Sequence, residues 1–173
     1  GIAPPSTGVA SFDGLNRFGS PYDFNDNFPK GTADMMTSLP IDLRSFTSLN
    51  NLYLSFFYQQ TGLGEAPDPK QGDSLVVEFK QRINDSTFTW NRVWAQIAID
   101  SGRTDTIEFV AIALTDTSYF VEDFQFRFRN RGTLSGAYDN WHIDYVYLNN
   151  NRTPNDKFFS DRTIIKEEGR IFK

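Results

Sequence analysis

Cysteine is absent from the chain, which removes disulfide staples, thiolate nucleophiles and Cys-ligated zinc together. Histidine occurs once, at position 142. Any Ser-His-Asp triad would have to use His142, and no Gly-x-Ser-x-Gly elbow accompanies it. No apolar run approaches the roughly 18 residues that a helix needs to cross a bilayer, so no membrane span is expected in this segment. A basic stretch followed by an apolar run is missing at the start as well. The chain opens on Gly1 rather than Met, as expected for a processed or excised piece of a longer protein. No segment carries a sustained 3.6-residue apolar stripe with caps, so helices are not expected. The formal net charge is −5, and an acidic surface argues against a general nucleic-acid binder.

What the chain has instead is aromatic bulk: 16% Phe, Trp and Tyr, with 17 Phe against 2 Met. Such side chains suit pleated, half-buried surfaces. Period-2 alternation follows. Leu52, Leu54, Phe56 and Tyr58 share one face of a strand; Leu75, Val77 and Phe79 share another. Residues 105–115 form a third run, and Phe124, Phe126 and Phe128 alternate with Gln125, Arg127 and Arg129 in a fourth. In the fifth, Trp141, Ile143, Tyr145 and Tyr147 alternate with His142, Asp144, Val146 and Leu148. Clusters at 84–86, 100–103, 130–132 and 149–151 read as turns, and residues 14–37 and 62–72 read as long loops. Together these predict an all-β, antiparallel two-sheet sandwich of jelly-roll type. The expected layout is an N-terminal extension over 1–8, the sandwich over 9–150 and a tail or linker over 151–173.

Three groups of residues are candidates for chemistry. A glycosidase needs two carboxylates facing one another, but Glu122 and Asp123 are adjacent and point to opposite faces, so no enzyme is expected. Calcium takes six to eight hard oxygens. Asp13 near the first strand and Asp139 and Asp144 around the last are the candidate ligands, because first and last strands often pair in sandwiches. The third group is a polar ladder of Gln125, Arg127 and Arg129, joined by Tyr58 and Trp94 from other strands. Rings stack on sugars or cations, and Arg and Gln donate to hydroxyls and carboxylates. The competing reading is that Trp90 and Trp94 cap the core.

The runs at 33–43, 52–58 and 73–79, together with Phe12-Asp13-Gly14 and the apolar-Asp-aliphatic pattern of Trp141 to Val146, resemble MAM-like jelly-roll modules. The resemblance spans about residues 9–150. It is to modules of cell-surface and secreted Bacteroidota proteins, many of them linked to type IX secretion or gliding motility. It implies an extracellular or outer-membrane-surface adhesion module that binds a protein or glycan, with calcium in some relatives. The alternative is a carbohydrate-binding module serving an enzyme elsewhere in the parent chain. The chain departs from animal MAM domains in lacking their disulfide cysteines.

Overall fold

The computed structural model describes residues 1–6, 8–25, 29–84, 86–100 and 106–157 of the chain. The described residues form eight strands: β1 (Ala10–Phe12), β2 (Lys30–Thr37), β3 (Tyr53–Gln60), β4 (Ser74–Asn84), β5 (Thr87–Ile97), β6 (Glu108–Ala113), β7 (Phe126–Thr133) and β8 (Trp141–Asn149). All pairings are antiparallel, giving two four-stranded sheets in the orders β1-β8-β3-β6 and β2-β7-β4-β5. That order is the double Greek key of a jelly roll. Among the described residues the only helical pieces are short 3-10 turns such as Ser48–Asn50.

Side-chain alternation drives the packing. Leu54 and Phe56 face Leu75, Val77 and Phe79 across the sandwich, with Phe124, Phe128, Trp141 and Ile143; each is 2% exposed or less. Phe56 bridges the sheets edge-to-face, 4.9 Å from Phe128 and 5.3 Å from Trp94. Such T-shaped pairs add about 0.5–1.5 kcal/mol each to what burial provides.

Two bulges reset the alternation where an unbroken strand would be expected. In β8, Tyr145 and Val146 together oppose Phe56, between the Ser55–Tyr147 and Phe57–Asp144 pairs. Tyr145 takes φ +54°, the left-handed conformation that the first residue of a G1-type bulge adopts. Tyr145 and Tyr147 therefore leave the face of Trp141 and Ile143, and Val146 and Leu148 pack on the core in their place. In β5, Val93 is the extra residue between the Val77–Trp94 and Glu78–Arg92 pairs.

Two loop expectations are corrected. The region 14–37 is not a loop throughout, because Lys30–Thr37 pairs with β7 as an edge strand. Asn130, Arg131 and Gly132 are not a turn: they lie inside β7, and Asn130 is fully buried with its amide donating to Asp139 O at 3.0 Å. Gly132 suits that place because a Cβ there would stand 2.5 Å from Asp139 Oδ2. The run at 62–72 is a loop, closed by the 3-10 turn Pro69–Gln71. Of the turn cluster at 100–103, residues 101–103 fall outside the described residues.

The segments expected as extension and tail lie against the sandwich where they are described. Ile2 exchanges hydrogen bonds with the Gln59 side chain at 2.7 and 3.2 Å. Arg152, 6% exposed, donates to Tyr53 O and Tyr147 O.

Replacing Phe128 by Ala removes the ring that joins the sheets and is expected to cost about 3–5 kcal/mol. Urea unfolding measures this; a loss under 1 kcal/mol would show that the two sheets do not depend on that contact.

Candidate binding face

The outer face of the β2-β7-β4-β5 sheet is set by the same parity that buries the Phe residues. With Phe126 and Phe128 turned inward, Arg127, Arg129 and Arg131 of β7 project outward. With Leu75, Val77 and Phe79 inward, Ser74, Val76, Glu78, Lys80 and Arg82 of β4 project outward beside them. The β5 bulge places Trp90 and Arg92 on this face, opposite Lys80 and Glu78.

Glu78 is the centre of the ladder. It is 5% exposed although it faces out, because the stems of its neighbours cover it. Arg129 grips its carboxylate with Nη2 and Nε at 2.6 and 3.0 Å, and Arg127 Nε donates to the same group. Arg129 also donates to Thr32 Oγ1 at 2.8 Å, and the Arg127 guanidinium lies 4.1 Å from the Trp90 ring centroid. Lower on the face, Lys80 pairs with Asp123 at 2.7 Å and stacks 4.2 Å from Phe88; Arg82 shares both partners.

The cations outnumber the anions. Lys80, Arg82, Arg92, Arg127, Arg129 and Arg131 stand on β4, β5 and β7, against Glu78 on the strands and Asp123 just before β7. Arg131 donates to Gly72 O at 3.2 Å, and neither Arg131 nor Arg92 has an ion-pair partner among the described residues. These two, with Arg129, border an open cleft of about 590 Å³ whose other walls include Ser74, Val76, Ala95 and Ile97. Ile97 is 60% exposed.

Of the residues expected to form the ladder, the structure brings Arg127 and Arg129 together and divides the others. Gln125 lies before β7 and spends its amide on Ser38 O at 2.8 Å. Tyr58 and Trp94 are on the inner side of their sheets, 5.2 Å apart. The Tyr58 hydroxyl donates to Gln96 Oε1 at 3.0 Å, and burial, with help from the Glu108 charge, pushes its pKa up to about 12. Trp94 borders the cleft, but its ring packs against Phe56. The aromatic partner on the outer face is the half-buried Trp90, against Arg127, which period-2 counting alone could not separate from Trp94.

The three carboxylates expected to share calcium occupy separate networks. Asp13 accepts from Leu15 N at 3.0 Å. Asp139 accepts from Thr133 N and lies 3.7 Å from Lys30 Nζ; that ammonium chiefly holds the fully buried Asp73, at 2.7 and 2.9 Å. Burial pushes the Asp139 carboxyl up, and the Asp73 charge adds to this against the Thr133 hydrogen bond. Asp144 is on the opposite outer face of the sandwich, where Ser6 donates to it through N–H and Oγ–H at 3.0 and 2.6 Å. These acids therefore do not fit one calcium site, and no group of three or more His, Asp or Glu side chains placed to hold a metal occurs among the described residues.

His142 sits on that same opposite face. Its Nε2 lies 3.2 Å from Thr61 O and its Nδ1 2.8 Å from Ser11 Oγ, with Gly1 N at 3.3 Å. These partners assign the neutral tautomer protonated on Nε2, with Ser11 donating to Nδ1.

No family model matches the chain, and no curated protein matches it. Among solved structures it is similar to the K3 cleaved adhesin domain of Lys-gingipain from Porphyromonas gingivalis w83, at 13% identity and TM-score 0.49, covering 84% of this chain and 81% of that one. It is also similar to the xylan-binding module CBM15, at 13% identity and TM-score 0.33, over 81% of this chain and 94% of that one. A third is CBM27-1 of Caldicellulosiruptor saccharolyticus in complex with mannohexaose, at 13% identity and TM-score 0.33, over 84% and 87%. At TM-scores below 0.5 these likenesses carry no argument, and the sandwich rests on the chain's own strand register.

Glu78→Gln leaves two guanidiniums without their counter-charge. It should cost about 2–3 kcal/mol, below the roughly 3–5 kcal/mol of a fully buried pair, because the arginine side chains keep 19% and 26% of their area in solvent. Urea unfolding of the variant reads this, and an unchanged stability would mean that the arginines simply turn to water. The His142 pKa is lowered, first by burial and then by the Gly1 ammonium. A basic group depressed in the folded state contributes stability above its unfolded value of 6.5, lost as pH falls through the folded value. Between pH 7 and pH 5 the melting midpoint should fall further for the native chain than for His142→Gln; parallel curves would refute a buried neutral imidazole.

Proposed function

We propose that this chain is a non-catalytic interaction module of a larger bacterial surface or secreted protein, MAM-like in type, and that it binds through the outer face of the β2-β7-β4-β5 sheet. The observation that carries the reading is the cleft bordered by Arg92, Arg129 and Arg131, where two of the three arginines have no ion-pair partner among the described residues. Each guanidinium presents a planar fork of donors, so less side-chain freedom is lost per hydrogen bond formed than with a lysine.

The cleft is lined by guanidiniums, aliphatic carbons, an indole and the buried Ser74 hydroxyl, groups suited to holding a ligand by charge-assisted hydrogen bonds and apolar contact. The place on a bacterial surface is carried by the sequence resemblance. A partner of either class, protein or glycan, fits an adhesion role. The carbohydrate-binding alternative is favoured by one specific observation, the half-buried Trp90 ring beside the arginine row.

Amide-shift mapping of the labelled chain against soluble glycans and ectodomain fragments tests the location. Perturbed amides should cluster on β4, β5 and β7. Shifts confined to the β1-β8-β3-β6 sheet, or to the loop around the exposed Leu63, would place the binding surface elsewhere.

A further inference from the structure

Resting on that reading of the face, we infer that its ligand is an acidic glycan, a polysaccharide bearing carboxylates or sulfates, seated in the cleft with its anionic groups on Arg92 and Arg131. Three features of the cleft lead there.

The first is an imbalance of hydrogen-bonding groups. The guanidiniums of Arg92 and Arg131 each present five N–H donors, and among the described residues the one hydrogen bond they make to the protein is Arg131 to Gly72 O. The carboxylate nearest the cleft, Glu78, is already held by Arg127 and Arg129. A ligand here must be acceptor-rich, as carboxylates, sulfates, ring oxygens and hydroxyls are.

The second is the floor. Val76, Ala95 and Ile97 make an apolar base between the cations, and a sugar ring has an apolar face with its polar groups around the rim. Such a ring can rest on the floor while its equatorial groups reach the guanidiniums.

The third separates a glycan from an acidic peptide. Within a sheet the backbone N–H and C=O groups pair in the plane of the sheet, so its face offers side chains alone. An extended peptide needs acceptors for its own amides, and this face has none to spare.

Affinity electrophoresis of the full chain tests this in native gels containing polygalacturonate, heparin, fully methyl-esterified polygalacturonate or poly-glutamate. Because the chain is itself acidic, an anionic matrix retards it only through specific contact. Retardation is expected in polygalacturonate, heparin or both, and is expected to be absent in the esterified and peptide gels. Arg92→Ala and Arg131→Ala should each weaken it about tenfold, the value of a charge-assisted hydrogen bond, without moving the melting midpoint. Both positions are exposed, so the variants should fold. Arg92→Lys should restore part of the binding. Lack of retardation in both acidic glycans, or stronger retardation by poly-glutamate, overturns the acidic-glycan inference. Retardation by the esterified polymer that falls with Arg92→Ala overturns it while leaving the face in place. Retardation indifferent to both arginines overturns the face as well.

Discussion

The contact between Phe56 of β3 and Phe128 of β7 decides what the rest of the molecule can present. It joins the two sheets at their centre, and in a strand the side-chain period of two means that burying one residue fixes the outward direction of its neighbours. Once Phe128 points in, Arg127 and Arg129 can only point out. Once Val77 and Phe79 point in beneath them, Glu78 must stand between those arginines. The binding face is in this sense the reverse side of the aromatic core, and no change of register could keep one and discard the other.

Glu78 shows why the arrangement holds its shape. A carboxylate taken from water costs several kcal/mol unless its oxygens are met by well-placed donors. Here two guanidiniums meet it, one of them through two N–H groups. The pair is worth less as net stability than as geometry. It holds the Arg129 fork at the edge of the cleft and brings Arg127 flat against Trp90, so that the long side chains do not sample alternatives. Arg92 and Arg131 are held less firmly, and they are the ones with binding capacity to spare.

The jelly roll was legible wherever alternation ran unbroken. Leu54–Phe56, Leu75–Val77–Phe79 and Phe124–Phe128 placed their side chains as their spacing implied. Legibility failed at bulges, where one added residue inverts all that follows. Trp90 and Trp94 are four apart and would share a face in a regular strand; Val93 separates them, turning Trp94 into the core and leaving Trp90 with the arginines. Tyr145 does the same in β8. No local propensity announces either bulge, since Tyr at φ +54° is a cost accepted for the packing of Val146 and Leu148. The Asn130-Arg131-Gly132 run misled for a related reason. Asn and Gly usually signal turns, but here Asn130 is a buried hydrogen-bonding group and Gly132 clears space for Asp139, both effects of a loop whose position the sequence does not reveal. The candidate site was therefore half legible: its two central arginines came from alternation, Trp90 and Arg92 depended on the β5 bulge, and Arg131 was hidden by the turn reading of 130–132.

The segregation of charge adds a constraint on approach. A chain of net charge −5 repels an anion at long range, but at about 0.15 M ionic strength exposed charges are screened beyond about 8 Å. Inside that distance an approaching group meets the local surplus on β4, β5 and β7 rather than the total. Small mobile anions gain little there, because one guanidinium in water holds one carboxylate weakly. A polymer with repeated charges differs. Alternate residues on β7 stand about 6.8 Å apart, so successive groups on one chain can engage Arg131, Arg129 and, across the cleft, Arg92 without each paying separately for the loss of translational freedom. Among the described strands of this sheet the surplus of cations stands on β4, β5 and β7, and that is where such a polymer is expected to settle.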